Sequence, residues 1–134
     1  MSFVIDASIA IKWVVAEPGA ETALLLRQER LFAPDLLIPE CANILWKKVR
    51  RGELTGAEAT VAARLLSMAD IELEPMRALL EPATRLAIAL DHPAYDCIYL
   101  ALAEALGCEF VTADQVLSRK ANAGGIQARV RLLI

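Results

Sequence analysis

Apolar positions along this chain switch back and forth between two periods. SFVI, residues 2–5, is an aromatic and β-branched run that predicts a buried strand. Helical spacing follows over Ala7–Val15, stopped near Glu17-Pro18-Gly19, and again over Ala20–Glu29. Leu31–Ala33 predicts a short strand, and a helix is expected from Pro39 to Arg51, closing at Gly52. Thr55 with Glu58 three residues on makes a capping box, which opens a helix reaching about Met68. Ile71–Glu74 alternates and predicts a strand. Arg77–Leu90 and Pro93–Leu106 carry helical spacing, the second ended by Gly107. Glu109–Thr112 predicts a strand, Asp114–Ala123 a helix and Val130–Leu133 a last short strand. Strands thus alternate with helices, which predicts an α/β sandwich around a mostly parallel sheet. No repeat, linker or low-complexity segment interrupts the pattern, so residues 1–134 read as one domain.

Four acids stand where core building alone does not ask for them. Asp6 ends the first strand-like run, although an ionised carboxylate costs several kcal/mol to desolvate unless something pairs with it. Asp114 follows the strand FVT after one alanine. In a parallel sheet, ligands gather just beyond the carboxyl ends of strands, where both of these acids sit. In LIPECANILW, residues 37–46, Glu40 lies in the first helical turn behind Pro39, with Asn43 and Lys47 on its face. In HPAYDCIYLALAEAL, residues 92–106, Asp96 heads a face whose other members are Tyr99, Leu100 and Ala103. Each acid has a plain alternative: Asp6 and Asp114 as helix caps, Glu40 as a helix-start acid on a solvated face, Asp96 as a first-turn acid answering the helix dipole.

Together the four would face one crevice in a parallel sheet, where their mutual repulsion calls for cations. Hard oxygen donors of this kind suit Mg²⁺ or Mn²⁺, which polarise phosphates and activate water. Ser8 and Thr112 are hydroxyls placed to orient a carboxylate or a water, and Asn43 is placed to do the same for Glu40.

Bulk properties narrow the classes. The formal net charge is −3, which argues against a tight basic nucleic-acid binder but not against an enzyme that holds nucleic acid briefly. Apolar residues make up 57%, more than a small domain can bury alone, so a large partner or self interface is expected. Cys41, Cys97 and Cys108 are odd in number and form no C-x-x-C pair, which argues against disulfides or zinc and suits a reducing cytosol. There is no basic, cleavable leader and no uncharged apolar stretch of membrane-spanning length, so a cytoplasmic location with no membrane partner is expected.

VIDAS near the start, PECAN about 30 residues on, YDCIYLALA late and FVTAD near the end resemble, in order and spacing, the PIN-domain ribonucleases, and within them the VapC-type toxins of toxin–antitoxin pairs. The resemblance implies a PIN-like three-layer sandwich with a central parallel sheet flanked by helices. It implies carboxylates that hold one or two divalent metals, Mg²⁺ or Mn²⁺, and cleave RNA by metal-assisted hydrolysis. The family's four acids fall on Asp6, Glu40, Asp96 and Asp114, and its small polar positions on Ser8, Thr112 and Asn43. Where some relatives carry a further acid after the fourth, this chain has Gln115, Val116 and Leu117, which implies a weaker second metal. A homodimer, silenced by a cognate antitoxin that alone would contact DNA, is the implied assembly.

Other features carry plainer readings. KKVRR, residues 47–51, reads as dipole complementation on a solvated face, with a phosphate contact or a clamp on an acidic antitoxin segment as the alternatives. Arg119 and Lys120 are further phosphate candidates, and Trp13 and Trp46 candidates for a partner surface. His92, the sole histidine, reads as a cap or loop residue, and Cys41 and Cys97 as core. Two competing readings remain: an idle PIN module working in a DNA-binding complex with its antitoxin, and a phospho-acceptor domain, which would need a lysine at the end of a late strand.

Overall fold

Five strands, β1 (Ser2–Ile5), β2 (Arg30–Pro34), β3 (Glu72–Glu74), β4 (Glu109–Thr112) and β5 (Val130–Leu132), form one sheet in the order β3-β2-β1-β4-β5. Every pairing is parallel. The structure is a computed structural model and describes residues 1–133. Successive residues of β1 (Phe3, Val4, Ile5) and β4 (Phe110, Val111, Thr112) are all buried, so side chains on both faces of the sheet are covered. That is the pattern of a parallel sheet between helical layers.

The covering helices are α1 (Ala7–Ala10), α2 (Ala20–Leu26), α3 (Leu37–Arg50), α4 (Gly56–Ser67), α5 (Leu80–Leu90), α6 (Ala94–Leu106) and α7 (Gln115–Ala123). The α6 helix lies against β1, β2 and β4 and buries Cys97 and the run Tyr99–Ala103. Its small residues Ala101 and Ala103 let it approach the sheet closely. It ends at Gly107, whose left-handed φ of 66° is the conformation glycine adopts without strain.

Some boundaries differ from the sequence pattern. The helix expected over Ala7–Val15 is a single turn, α1, followed by a 3₁₀ turn over Ile11–Trp13, after which the amides of Val14 and Val15 both return to the Ile11 carbonyl. The second helix stops at Leu26, and Arg27, Gln28 and Glu29 close with bonds to carbonyls three residues back. Helix α3 begins at Leu37 rather than Pro39, and the expected Arg77–Leu90 helix is a 3₁₀ turn followed by α5 from Leu80. Pro39 and Pro82 both occupy the third helical position, still within the turn whose amides need no intrahelical partner. The Thr55 capping box forms as expected, with bonds of 2.8 and 3.1 Å.

Strand order places the site. From β1 the chain winds outward through β2 to β3, then returns to β4 on the other side of β1. The reversal leaves a crevice beyond the carboxyl ends of β1 and β4, the topological switch point at which open α/β sheets bind ligands. Asp6 follows β1, and Thr112 to Asp114 close β4.

Candidate active site

Asp6, Ser8, Glu40, Asn43, Lys47, Asp96 and Asp114 line one cleft of about 280 Å³ at this switch point. Thr112 lies beneath it, fully buried. All seven residues singled out as a site from the sequence are therefore in or directly under one cleft, and Lys47 joins them.

Asp6 leaves β1 in extended conformation and turns the chain into α1, but its side chain does not cap that helix. Its Oδ1 accepts from the Ser8 hydroxyl at 2.5 Å and its Oδ2 from the Thr112 hydroxyl at 2.6 Å. Each hydroxyl also accepts an amide: Ser8 from Ala113 at 3.0 Å, and Thr112 from Asp114 at 3.1 Å. The two hydroxyls thus tie the end of β1 to the turn after β4. Burial pushes the Asp6 carboxyl from its ordinary 3.8 up to about 6, the two hydroxyl bonds hold it back, and the nearby charge of Asp96 adds to the rise.

Glu40, in the first turn of α3, accepts from the Tyr99 hydroxyl at 2.5 Å. Tyr99 is buried in α6 with its ring stacked on Phe110 at a centroid distance of 5.8 Å. Burial raises the Glu40 pKa, the Tyr99 bond opposes this, and the charge of Asp96 raises it again. Asp96 is held one helical turn after His92, whose Nε2 lies 2.6 Å from its Oδ2. A carboxylate only accepts, so the imidazole proton sits on Nε2, and the buried Nδ1 has no partner among the described residues. Asp114 does cap its helix: Oδ1 accepts from the Leu117 amide at 3.0 Å.

Glu40, Asp96 and Asp114 each spend one carboxylate oxygen on a protein donor and keep the other. Among the described residues no three acid, histidine or cysteine side chains are already drawn round one point as ion ligands. The donor set fits a hard divalent cation in kind: four carboxylates from four elements share one cleft, and the charge of Asp96 works against ionisation of both Asp6 and Glu40.

Sequence reasoning missed two of these contacts. His92 is no mere loop residue, since its ring fixes Asp96, and the i, i+4 spacing was the available signal. Tyr99 reads in the sequence as part of an apolar face, although a buried phenol needs a partner for its hydroxyl. Two peripheral expectations, those for Lys120 and Trp13, also change. Lys120 is spent on the Asp91 carbonyl at 2.8 Å rather than left for phosphate. Trp13 is anchored in the fold by its indole N–H on the Ala23 carbonyl at 2.8 Å, whereas Trp46 stays exposed beneath the guanidinium of Arg50. Among the described residues neither β4 nor β5 ends in lysine, so the feature a phospho-acceptor reading required is missing. Burial and nearby acid charge push the thiols of Cys41 and Cys97 up to about 12 and about 11, which leaves neither as a ready nucleophile.

The sequence matches the PIN domain family over residues 3–123. It is 33% identical over 124 residues to Ribonuclease VapC3 of Pyrobaculum aerophilum, covering 90% of this chain and 95% of that one. The fold is similar to that of VapBC2 from Rickettsia felis bound to a DNA fragment from their promoter, at 14% identity, a TM-score of 0.70 and full coverage of both chains (100%). It is also similar to a toxin–antitoxin complex from Klebsiella pneumoniae, at 16% identity and a TM-score of 0.67, with 98% of this chain and 97% of that chain covered. The five-stranded parallel sheet, the carboxylate cleft at its switch point and the matches over nearly the whole sequence agree: this chain belongs to the PIN-domain family, in its VapC group.

Proposed function

We propose that this chain is an endoribonuclease, the toxin of a toxin–antitoxin pair, and that it hydrolyses RNA phosphodiester bonds at the cleft of Asp6, Glu40, Asp96 and Asp114 with Mg²⁺ or Mn²⁺ as cofactor. One observation carries the reading: four carboxylates from four separate elements share a small cleft at the sheet's switch point, at a cost in charge repulsion that the fold itself does not require. The name of the Pyrobaculum relative, a ribonuclease, supports the reaction class.

The chain's own residues have definite tasks. Ser8 and Thr112 fix both oxygens of Asp6 from behind, and the remaining lone pairs stay free to bind. Tyr99 and His92 fix one oxygen each of Glu40 and Asp96, which leaves the second oxygen of each for the cleft. Asn43, on the face of Glu40, offers an amide to a water or a phosphate oxygen. A divalent cation held by this set supplies charge against the phosphate oxygens and acidifies water for attack. With Cys41 and Cys97 protonated and the Ser8 hydroxyl committed to Asp6, none of these three stands ready as a covalent nucleophile, which supports attack by water over a covalent enzyme step.

A cognate antitoxin is the proposed partner, supported by the Klebsiella complex. The exposed apolar side chains of α4, Val61 and Leu65, face a groove shared with Val14, Val15 and Leu54, and part of the apolar surplus lies there for a partner to cover. A second copy of the chain is the proposed occupant of another part, as a homodimer. Among the described residues no helix is long and apolar enough to cross a membrane, and a cytoplasmic place of action is proposed.

A second reading is favoured by the Rickettsia structure, which contains promoter DNA: an idle PIN module that works in DNA-bound regulation through its antitoxin. The retained set of four acids argues for the first. Incubating the antitoxin-free chain with total cellular RNA decides between them. The nuclease reading expects discrete cuts with Mg²⁺ or Mn²⁺ that vanish with chelator and in Asp6→Asn and Asp96→Asn. An uncut RNA pool from a folded protein would favour the regulatory module.

A further inference from the structure

The cluster of cations at residues 47–51 does not act as a unit. Lys48 pairs with Glu17 at 3.1 Å and Glu53 at 3.4 Å, which neutralises it outside the cleft. Arg50 lies over the Trp46 ring at 5.0 Å. Lys47 is different: it is exposed, it lines the acid cleft, and it stands two turns along α3 from Glu40 with Asn43 between them. It has no ion-pair partner among the described residues. Among the described residues no other cationic side chain lines this cleft.

The cleft poses an electrostatic problem. Its own charge is negative, the whole chain carries −3, and the proposed substrate is a polyanion. A divalent ion offsets only part of four carboxylates, so an RNA strand arriving at the cleft still meets repulsion. We propose that Lys47 is the phosphate-gripping residue of the site: its ammonium holds a backbone phosphate of single-stranded RNA beside the scissile bond and sets the register of the strand on the α3 face. This rests on the nuclease reading and adds to it a named substrate contact that is separate from the carboxylates. A protein segment laid into the same cleft would face four carboxylates and would be selected to be basic, and Lys47 would then repel it. RNA has to enter this cleft to be cut, which makes it the partner assigned to this lysine, and an acidic antitoxin segment is the competing outcome that the test separates.

The test compares wild type, Lys47→Gln, Lys47→Arg and Lys48→Gln. A short fluorescein-labelled single-stranded RNA of mixed sequence is titrated in chelator at several salt concentrations, and cleavage of total RNA is followed with Mn²⁺. Lys47→Gln is expected to weaken RNA binding about five- to tenfold and to flatten the slope of log affinity against log salt by about 0.7, the share of one phosphate contact on a single strand. KM should rise with kcat little changed, Lys47→Arg should retain binding, and Lys48→Gln should leave affinity and slope as in wild type. Circular dichroism shows that each variant is folded. Wild-type affinity and slope in a folded Lys47→Gln protein, beside a wild type that cuts, would overturn this inference alone. Equal losses in Lys47→Gln and Lys48→Gln would overturn it too, because they would mark bulk charge rather than a contact. If Lys47→Gln loses only antitoxin binding and keeps RNA binding, the lysine is an antitoxin clamp and the inference falls. A wild type that neither binds nor cuts RNA would overturn the nuclease reading and this inference together.

Discussion

Asp6 bears the heaviest desolvation of the four acids, and its chemistry should show in stability before it shows in activity. Its carboxyl titrates at about 6 in the folded chain against an ordinary 3.8, so the folded state binds the proton more tightly than the unfolded one. The resulting stabilisation is complete below the unfolded value and is lost as pH rises through the folded one. The loss amounts to about 3 kcal/mol for a shift of this size. Glu40 contributes in the same direction. Urea unfolding of the cation-free chain should therefore show stability falling between about pH 4 and about pH 6.5 and then levelling. In Asp6→Asn most of that fall should disappear, and an unchanged pH profile would remove Asp6 as its source. Tyr99→Phe is the second residue-scale probe. It keeps the ring stacked on Phe110 and deletes only the hydroxyl that holds Glu40. Loss of one such bond should change stability by only about 1 kcal/mol. If Glu40 must be held to serve the site, kcat should fall about tenfold with KM little moved, a difference of about 1.4 kcal/mol in the barrier. Steady-state cleavage beside urea unfolding separates this from a purely structural role, in which stability would fall and kcat would not.

At the scale of elements, the caps hold the helices and the strand ends hold the chemistry. Thr55 closes a capping box and does not line the cleft. Thr55→Ala should cost about 1 kcal/mol in urea unfolding and leave RNA cleavage unchanged. A loss of cleavage there would mean that α4 communicates with the site. The alternation of SFVI and EFVT with helical spacing made the strands and the parallel sheet legible, because fully buried strands are apolar on both faces. The start of α3 was not legible to the residue: proline is tolerated throughout the first turn, so Pro39 marks a helix start only to within about three positions. Apolar spacing likewise cannot tell the 3₁₀ turn at Ile11–Trp13 from a longer helix. The acids were legible because each stands at a strand end or in a first helical turn. Tyr99 was not, because its bond to Glu40 depends on α6 reaching across to α3, 59 residues away in sequence. His92 could have been read from its spacing to Asp96.

For the whole molecule, two surpluses need an outlet. Negative charge concentrated in the cleft calls for cations, and apolar surface beyond the core calls for a partner. A VapC-type ribonuclease bound by an antitoxin answers both, and Lys47 eases the approach of a polyanion to an acidic site. If the carboxylate cleft hydrolyses RNA by attack of water, the new phosphate end takes its oxygen from solvent and not from the ribose hydroxyl. The most direct measurement is single-turnover cleavage of RNA by the antitoxin-free chain with Mn²⁺ in heavy-oxygen water, with the product ends read by mass spectrometry. Attack by water at this cleft puts one heavy oxygen in the newly formed terminal phosphate from the first turnover, and gives no product in Asp6→Asn or with chelator. A 2′,3′-cyclic phosphate end carrying no solvent oxygen, or the same product from a folded Asp6→Asn protein, would contradict it.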